Sequence, residues 1–259
     1  MVVRNFGSIL ALPALFAVSL LCSCEMQFAT GGEEGARFAQ APVDRPGLGT
    51  KWGETRQSRA RITDFQRADP DHPLATAIIY YNDAAGVRAM AGAIAWQRRW
   101  PMLAAPAESL ISIGLKDQNV RFLPGLIVGD RWFVVGEEGR RYSIVVRNKT
   151  NLRLEIVLSV DGLDVIDGGK ASLRKRGYIM PPHSQLAVEG FRQNFGEVAA
   201  FRFSPVRESY AAEKYRNTKN VGVIGAAIFR ERGTNPWTGE EVRKRLNANP
   251  FPGGFATPP

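Results

Sequence analysis

Three aspartates at three-residue intervals, Asp161, Asp164 and Asp167, followed by Gly168, form the densest group of ligand-capable side chains in this 259-residue chain. Hard cations take several carboxylate oxygens, so the group suggests a calcium loop. EF-hand acids fall at alternate positions, however, and these do not. Asp161-Gly162 and Asp167-Gly168 are also turn signals, which explains most of the acid content. No metal is assigned, and the three aspartates stand as candidate contacts for a ligand or partner. The two histidines, His72 and His183, each lie beside proline without a carboxylate pattern, and read as exposed loop residues rather than metal ligands or general bases. Ser184, Ser204 and Ser209 lack the Gly-x-Ser-x-Gly context of an activated nucleophile. A carboxylate pair for sugar hydrolysis could be drawn from Glu155, Asp161, Glu189 or Glu197, but the separation that decides the chemistry is not written in the sequence. Among Trp52, Trp96, Trp100, Trp132 and Trp237, the last is the best candidate for an exposed contact, within Asn235-Pro236-Trp237-Thr238-Gly239. Gly222-x-x-Gly225 lies inside a strand pattern and is no phosphate loop. The residues predict no cofactor and no catalytic constellation.

The two cysteines, Cys22 and Cys24, belong to a different chemistry. Arg4 is followed by an apolar run from Ile9 to Leu21, too short for a membrane span of roughly 20 residues. It reads as an export signal covering residues 1–23. Its end resembles the lipobox of bacterial lipoproteins: Leu21 three positions before the cysteine, Ser23 just before it, and Cys24 as the acceptor. Cys22 does not fit as acceptor, because Leu21 directly before it is too large. The resemblance implies a mature chain beginning at Cys24, with acyl chains such as palmitate anchoring it in membrane lipid; several chains together anchor stably. Glu25 in place of aspartate favours the outer over the inner membrane by the same analogy. The folded body then has no cysteine, which excludes disulfides, thiolate nucleophiles and cysteine-ligated metals there.

Lysine and arginine exceed the acids to give a net charge of +9, and removing the signal costs only Arg4. An exported basic protein would meet anionic headgroups, acidic glycan or an acidic partner protein rather than nucleic acid.

These residues must be positioned by a mainly β fold. Leu152 to Val160 alternates apolar and other side chains, as do Tyr142, Ile144 and Val146, with Asn148-Lys149-Thr150-Asn151 between them. The pattern predicts a β-hairpin whose apolar face a second layer covers. Further β-prone runs lie at Ala77–Tyr81, Leu110–Ile113, Val120–Leu123, Trp132–Val135, Gln185–Phe191, Val198–Phe203 and Val221–Phe229. The last is apolar or small throughout, as in a strand covered on both faces. Short helices are expected at Val87–Trp96 and Gly239–Leu246. The expected architecture is a single antiparallel β-sandwich-like domain over 72–232 with few peripheral helices. Residues 24–71, rich in Gly, Arg, Pro and Ala, read as a partly disordered tether, with pieces around Trp52 and Phe65 lying across the domain surface. Residues 233–259 read as a loose tail.

Residues 140–232 also resemble an uncharacterised family of exported bacterial proteins. The resemblance rests on Val160-Asp161-Gly162-Leu163-Asp164, Gly177-Tyr178-Ile179, Gly190-Phe191-Arg192, Val198–Phe203, Ser209–Ala212 and Asn220–Gly225. It implies one compact β-domain and carries no activity. The functional expectation is an anchored envelope protein with a binding or structural role towards an envelope protein or glycan. Its rivals are a glycan-directed enzyme using two carboxylates, and an assembly-machine component pairing through the edge of Leu152–Val160 or Val221–Phe229.

Overall fold

The computed structural model describes residues 45–92, 100–101, 110–234 and 239–249. Two sheets face each other across an apolar core, as the alternating patterns require. The first contains β1 (Leu48–Gln57), β4 (Ile111–Asp117), β7 (Arg141–Asn148), β11 (Gln185–Val188), β12 (Gly190–Arg192) and β13 (Glu197–Pro205). The second contains β2 (Ala75–Asn82), β3 (Trp100–Pro101), β5 (Pro124–Val128), β6 (Arg131–Val135), β8 (Leu154–Val160), β9 (Leu163–Asp164), β10 (Tyr178–Met180) and β14 (Val223–Arg230). Pairing is antiparallel throughout except between β2 and β6, which run parallel. Tyr81, Tyr142, Phe191, Phe201 and Phe203 fill the space between the sheets together with aliphatic side chains from both. The fold is thus the β-sandwich-like arrangement expected.

Among the described residues the α-helices are short: α1 (Ala84–Ala91), α2 (Tyr210–Tyr215) and α3 (Gly239–Leu246). Asp83 caps α1 by accepting from Gly86 N, and Ser209 caps α2 by accepting from Ala212 N. Helix α1 packs Val87 against Leu126, Phe133 and Val135 on the outer face of the second sheet. The helix expected at Val87–Trp96 therefore begins earlier, at Ala84, and ends at Ala91 with Gly92 as its C-cap; residues 93–96 lie outside the described residues.

The expected hairpin does not form. Strands β7 and β8 lie in different sheets, so the chain crosses the sandwich between them. Alternation fixes which side chains are buried, and stacking face to face buries them as well as lying side by side. Asn148, fully buried at the crossing, decides the geometry. Its Nδ2 donates to the carbonyls of Leu152 (2.8 Å) and Pro181 (2.9 Å), while its Oδ1 accepts from Thr150 N (3.0 Å) and Thr150 Oγ1 (2.8 Å). Replacing it with alanine removes four hydrogen bonds to partly buried or exposed partners, which should cost about 1–3 kcal/mol. Urea unfolding of the full-length protein at 25 °C would measure this, and a loss under about 0.5 kcal/mol, the range of an ordinary surface substitution, would contradict the assignment. The tight hairpin is instead β8–β9, turned by Asp161 (φ 55°) and Gly162 (φ 77°). Both central residues have the positive φ of a two-residue turn matched to strand twist.

Two other expectations change. Pro124-Gly125, read as a break, opens β5, and of Val120–Leu123 only Phe122 makes a bridge, to Lys116. The segment read as tether contributes β1, paired with β13 from Leu48↔Pro205 to Gln57↔Glu197 around a bulge between Trp52 and Thr55. The folded body therefore includes Leu48–Gln57, well before residue 72.

From the end of β1 a strap, residues 58–74, carries the chain from the first sheet to the second. Ser58 N and Ala60 N donate to the carbonyls of Gly196 and Phe195 (both 2.7 Å). At its far end Ala68 N bonds Arg230 O (3.0 Å) and Leu74 N bonds Ile228 O (2.7 Å). Between those moorings the first sheet forks. Strands β7 and β13 pair directly only at Tyr142↔Phe201 and Arg141↔Arg202; beyond, β11 follows β7 and β12 follows β13.

Candidate functional site

The three aspartates singled out by their spacing go to three separate tasks. Asp161, at the β8–β9 turn, points inward. Its Oδ1 accepts from Tyr81 OH (2.6 Å) and Gly222 N (2.9 Å), and its Oδ2 from Thr50 N (2.8 Å). Thr50 Oγ1 lies 2.7 Å from both the Tyr81 and the Tyr142 hydroxyls, which closes a buried polar network joining β1, β2, β7 and β14. Burial pushes the Asp161 carboxyl up to about 6 against the opposing pull of its donors. Burial likewise holds both tyrosines well above their ordinary range. All of these groups lie in the core, where Asp161 ties the β8–β9 turn to β1 and β2.

Asp164 is also buried, and its Oδ1 caps the following turn by accepting from Ile166 N (2.9 Å) and Asp167 N (3.1 Å). Asp167 forms an ion pair with Lys175. The calcium loop is therefore absent as geometry, and no group of three His, Cys, Asp or Glu suited to a metal occurs among the described residues. His72 is exposed beside Asp69, 3.1 Å away, and His183 sits exposed on a loop at φ 52°. Trp52 packs over Phe191 and Tyr210, with ring centroids 6.2 and 4.9 Å away, and Trp132 is in the core. Cys24, Trp96 and Trp237 lie outside the described residues.

The concave site is elsewhere. A cleft of about 710 Å³ opens where the first sheet forks, between the strap and strands β10 and β11. Its floor is apolar, supplied by Ile166, Ile179, Leu186 and Val198. Its wall carries five arginines, Arg59, Arg61, Arg153, Arg176 and Arg192. Two of them are fixed in place. Arg153 pairs with Glu231 (2.5 Å) and donates to Asp64 O (2.7 Å), while Arg192 donates to Ser58 O (2.8 Å) and lies 5.7 Å from the Tyr178 ring. Arg59, Arg61 and Arg176 are exposed and make no ion pair or side-chain hydrogen bond with a described residue.

The acids lining the cleft are largely engaged. Glu155 accepts from Arg67 Nε (2.6 Å) and Gly177 N (2.7 Å), and Glu189 accepts from Arg56 Nε (3.3 Å). Arg67 also donates to the carbonyls of Leu173 and Lys175 and stacks 3.7 Å above the Phe229 ring, binding the strap to β8, β14 and the loop before β10. Of the carboxylates considered for glycan hydrolysis, Glu155 and Glu189 thus meet in the cleft already matched by guanidinium groups. Asp161 is in the core, and Glu197 bonds Gln57 and Asn194. The arrangement can hold an anion against an apolar floor. It presents no uncommitted acid–base pair.

No protein-family model, curated protein or solved structure matches the chain.

Sequence reasoning missed this cleft because two of its five wall arginines, Arg59 and Arg61, fall in the supposed tether and the others are scattered along the domain. A signal was present: Arg56, Arg59, Arg61 and Arg67 recur across a short stretch with no lysine. The edges expected to recruit another chain are corrected too. Strand β8 lies between β10 and β14, and β14 between β8 and β2, so neither offers a free edge along its length.

Proposed function

We propose that this protein is a lipid-anchored component of the bacterial envelope, attached through Cys24, whose sandwich holds an anionic partner in the arginine-walled cleft. The observation that carries the reading is the excess of guanidinium over free carboxylate around a concave, partly apolar surface: Glu155 and Glu189 are matched by Arg67 and Arg56, which leaves Asp64 as the one lining acid without a described ion pair against five arginines. Concave sites with a few oriented charges over apolar lining are where ligands are held. The net charge of +9 draws anionic partners over a longer range. No described helix is long and apolar enough to cross a membrane. The lipobox resemblance supports export, with Glu25 favouring the outer membrane.

Crosslinking in intact cells tests the reading. The wild-type protein should capture a reproducible anionic partner, and Arg61→Glu combined with Arg176→Glu should lose it. Cys24→Ala should abolish incorporation of an alkyne-tagged palmitate. Equal capture by the double variant would overturn the cleft, and continued labelling of Cys24→Ala would overturn the anchor.

A further inference from the structure

Resting on that reading, we infer that the cleft takes an extended peptide segment in which acidic side chains alternate with apolar ones. Three features converge on this class. The first is the separation of chemistry within the cleft. Ile179, Leu186 and Val198 form an apolar floor, whereas Arg59, Arg61 and Arg176 stand exposed at the rim with no ion pair to a described residue. Such a surface matches a chain whose successive side chains point to opposite sides, one set buried and the other set charged.

The second feature is backbone. The amide N–H groups of Arg61 to Phe65 donate to no carbonyl of a described residue, although the strap is moored on either side of them. Opposite, β10 is the terminal strand of its sheet and lines the cleft with Tyr178 and Ile179. Main-chain groups on both walls are thus placed to pair with an extended chain, which supplies affinity while the side-chain pockets supply selection.

The third feature is what the lining lacks. None of the residues around the cleft is asparagine, glutamine or histidine. The free donors at the rim are instead guanidinium groups, whose planar charged forks match carboxylates better than the neutral hydroxyls of a glycan. The exposed Ile62 and Phe195, 71% and 60% accessible, extend the apolar surface past the rim. They suit valine- or leucine-sized side chains.

Fluorescence anisotropy on the full-length protein purified in detergent would test this. The probe is a fluorescein-labelled octapeptide alternating glutamate and valine. It should bind, with affinity falling as salt is raised, and Arg61→Glu with Arg176→Glu should weaken it by about tenfold or more. Both positions are exposed, so an unchanged melting midpoint should accompany the loss. A lysine–valine peptide should not bind, and an all-glutamate peptide should bind more weakly than the alternating one. Equal binding of the all-glutamate peptide would overturn the alternation. If tetragalacturonate or dihexanoyl phosphatidylglycerol binds in an arginine-dependent way while the peptide does not, the peptide class fails and the anionic cleft stands. If no anionic probe binds protein that melts cooperatively, both readings fail.

Discussion

Glu155→Ala is expected to destabilise the domain by about 3–5 kcal/mol, the usual cost of leaving one partner of a buried ion pair alone. The pair it breaks is well shielded, with the Arg67 and Glu155 side chains only 11% and 7% exposed. Removing the carboxylate leaves the Arg67 guanidinium beneath the strap with carbonyl partners and the Phe229 ring but no countercharge. It also strips Gly177 N of its acceptor at the entry to β10. Against a typical domain stability of about 5–15 kcal/mol, such a loss is large. Urea unfolding followed by tryptophan fluorescence measures it. The control is the double replacement Arg67→Met with Glu155→Leu, which removes both charges and should recover much of the loss. A single-variant cost below about 1 kcal/mol would place the pair in the class of solvated surface bridges. Because Arg67 moors the strap, the same variant should weaken anion binding even though neither residue is unpaired in the cleft.

Asp161 is expected to make stability fall as pH rises from about 4 to about 6. Its carboxyl sits at about 6 in the folded state, above the ordinary 3.8. A raised value means that its contribution is complete below 3.8 and is lost as pH climbs through 6, because the folded core resists the charge that the unfolded chain accepts freely. A shift of about two units corresponds to about 3 kcal/mol. Glu54 acts in the opposite sense. Its hydrogen bond from Arg202 is the largest cause holding it down to about 2, so its contribution is present above 4.5 and lost as pH falls through 2. The raw pH profile therefore mixes the two, and the difference between wild type and Asp161→Asn isolates the buried group. That difference should favour the wild type most at pH 4 and shrink by about 2 kcal/mol by pH 7, since the unfolded carboxyl is already partly ionised at pH 4. At pH 4 the variant should be less stable by about 1–3 kcal/mol, since its amide turns a donor towards Thr50 N or Gly222 N, both of which need an acceptor. Thermal melts at constant ionic strength across pH 4–7 would show it, and parallel profiles for the two proteins would rule it out.

The strands and turns whose evidence is local were legible from the residues. Ala77–Tyr81, Trp132–Val135 and Val198–Phe203 carry β-prone runs and fall within strands β2, β6 and β13. Gly239–Leu246 was legible as a helix for the same reason. Val221–Phe229, apolar or small at every position, corresponds to β14, whose inner face joins the main core while Ala227 and Phe229 pack with Val157 in a separate cluster.

Partnership was not legible. Alternation states which face of a strand is buried, not which strand lies beside it, and so β7 and β8 read as a hairpin when they stack across the core. Strand β1 was hidden for a related reason. Leu48–Gln57 is poor in β-branched residues and contains Gly49 and Gly53, which argue locally for a loop. Those glycines are packing requirements: a Cβ on Gly53 would stand 2.5 Å from the Ala200 carbonyl oxygen, and one on Gly49 would stand 2.7 Å from Ser209 and Val221 side-chain carbons.

By itself, then, the sequence determined the β class, the burial pattern of its clearest strands and a body without cysteine. Only the tertiary structure decided that Asp161 belongs to the core, that the supposed tether supplies an edge strand and a strap, and that arginines far apart in sequence converge on one cleft. The physical reason is that faces and turns are set by neighbours along the chain. Strand pairing, the burial of a charge and the shape of a cleft are set by residues more than a hundred positions away, as with Thr50 and Asp161.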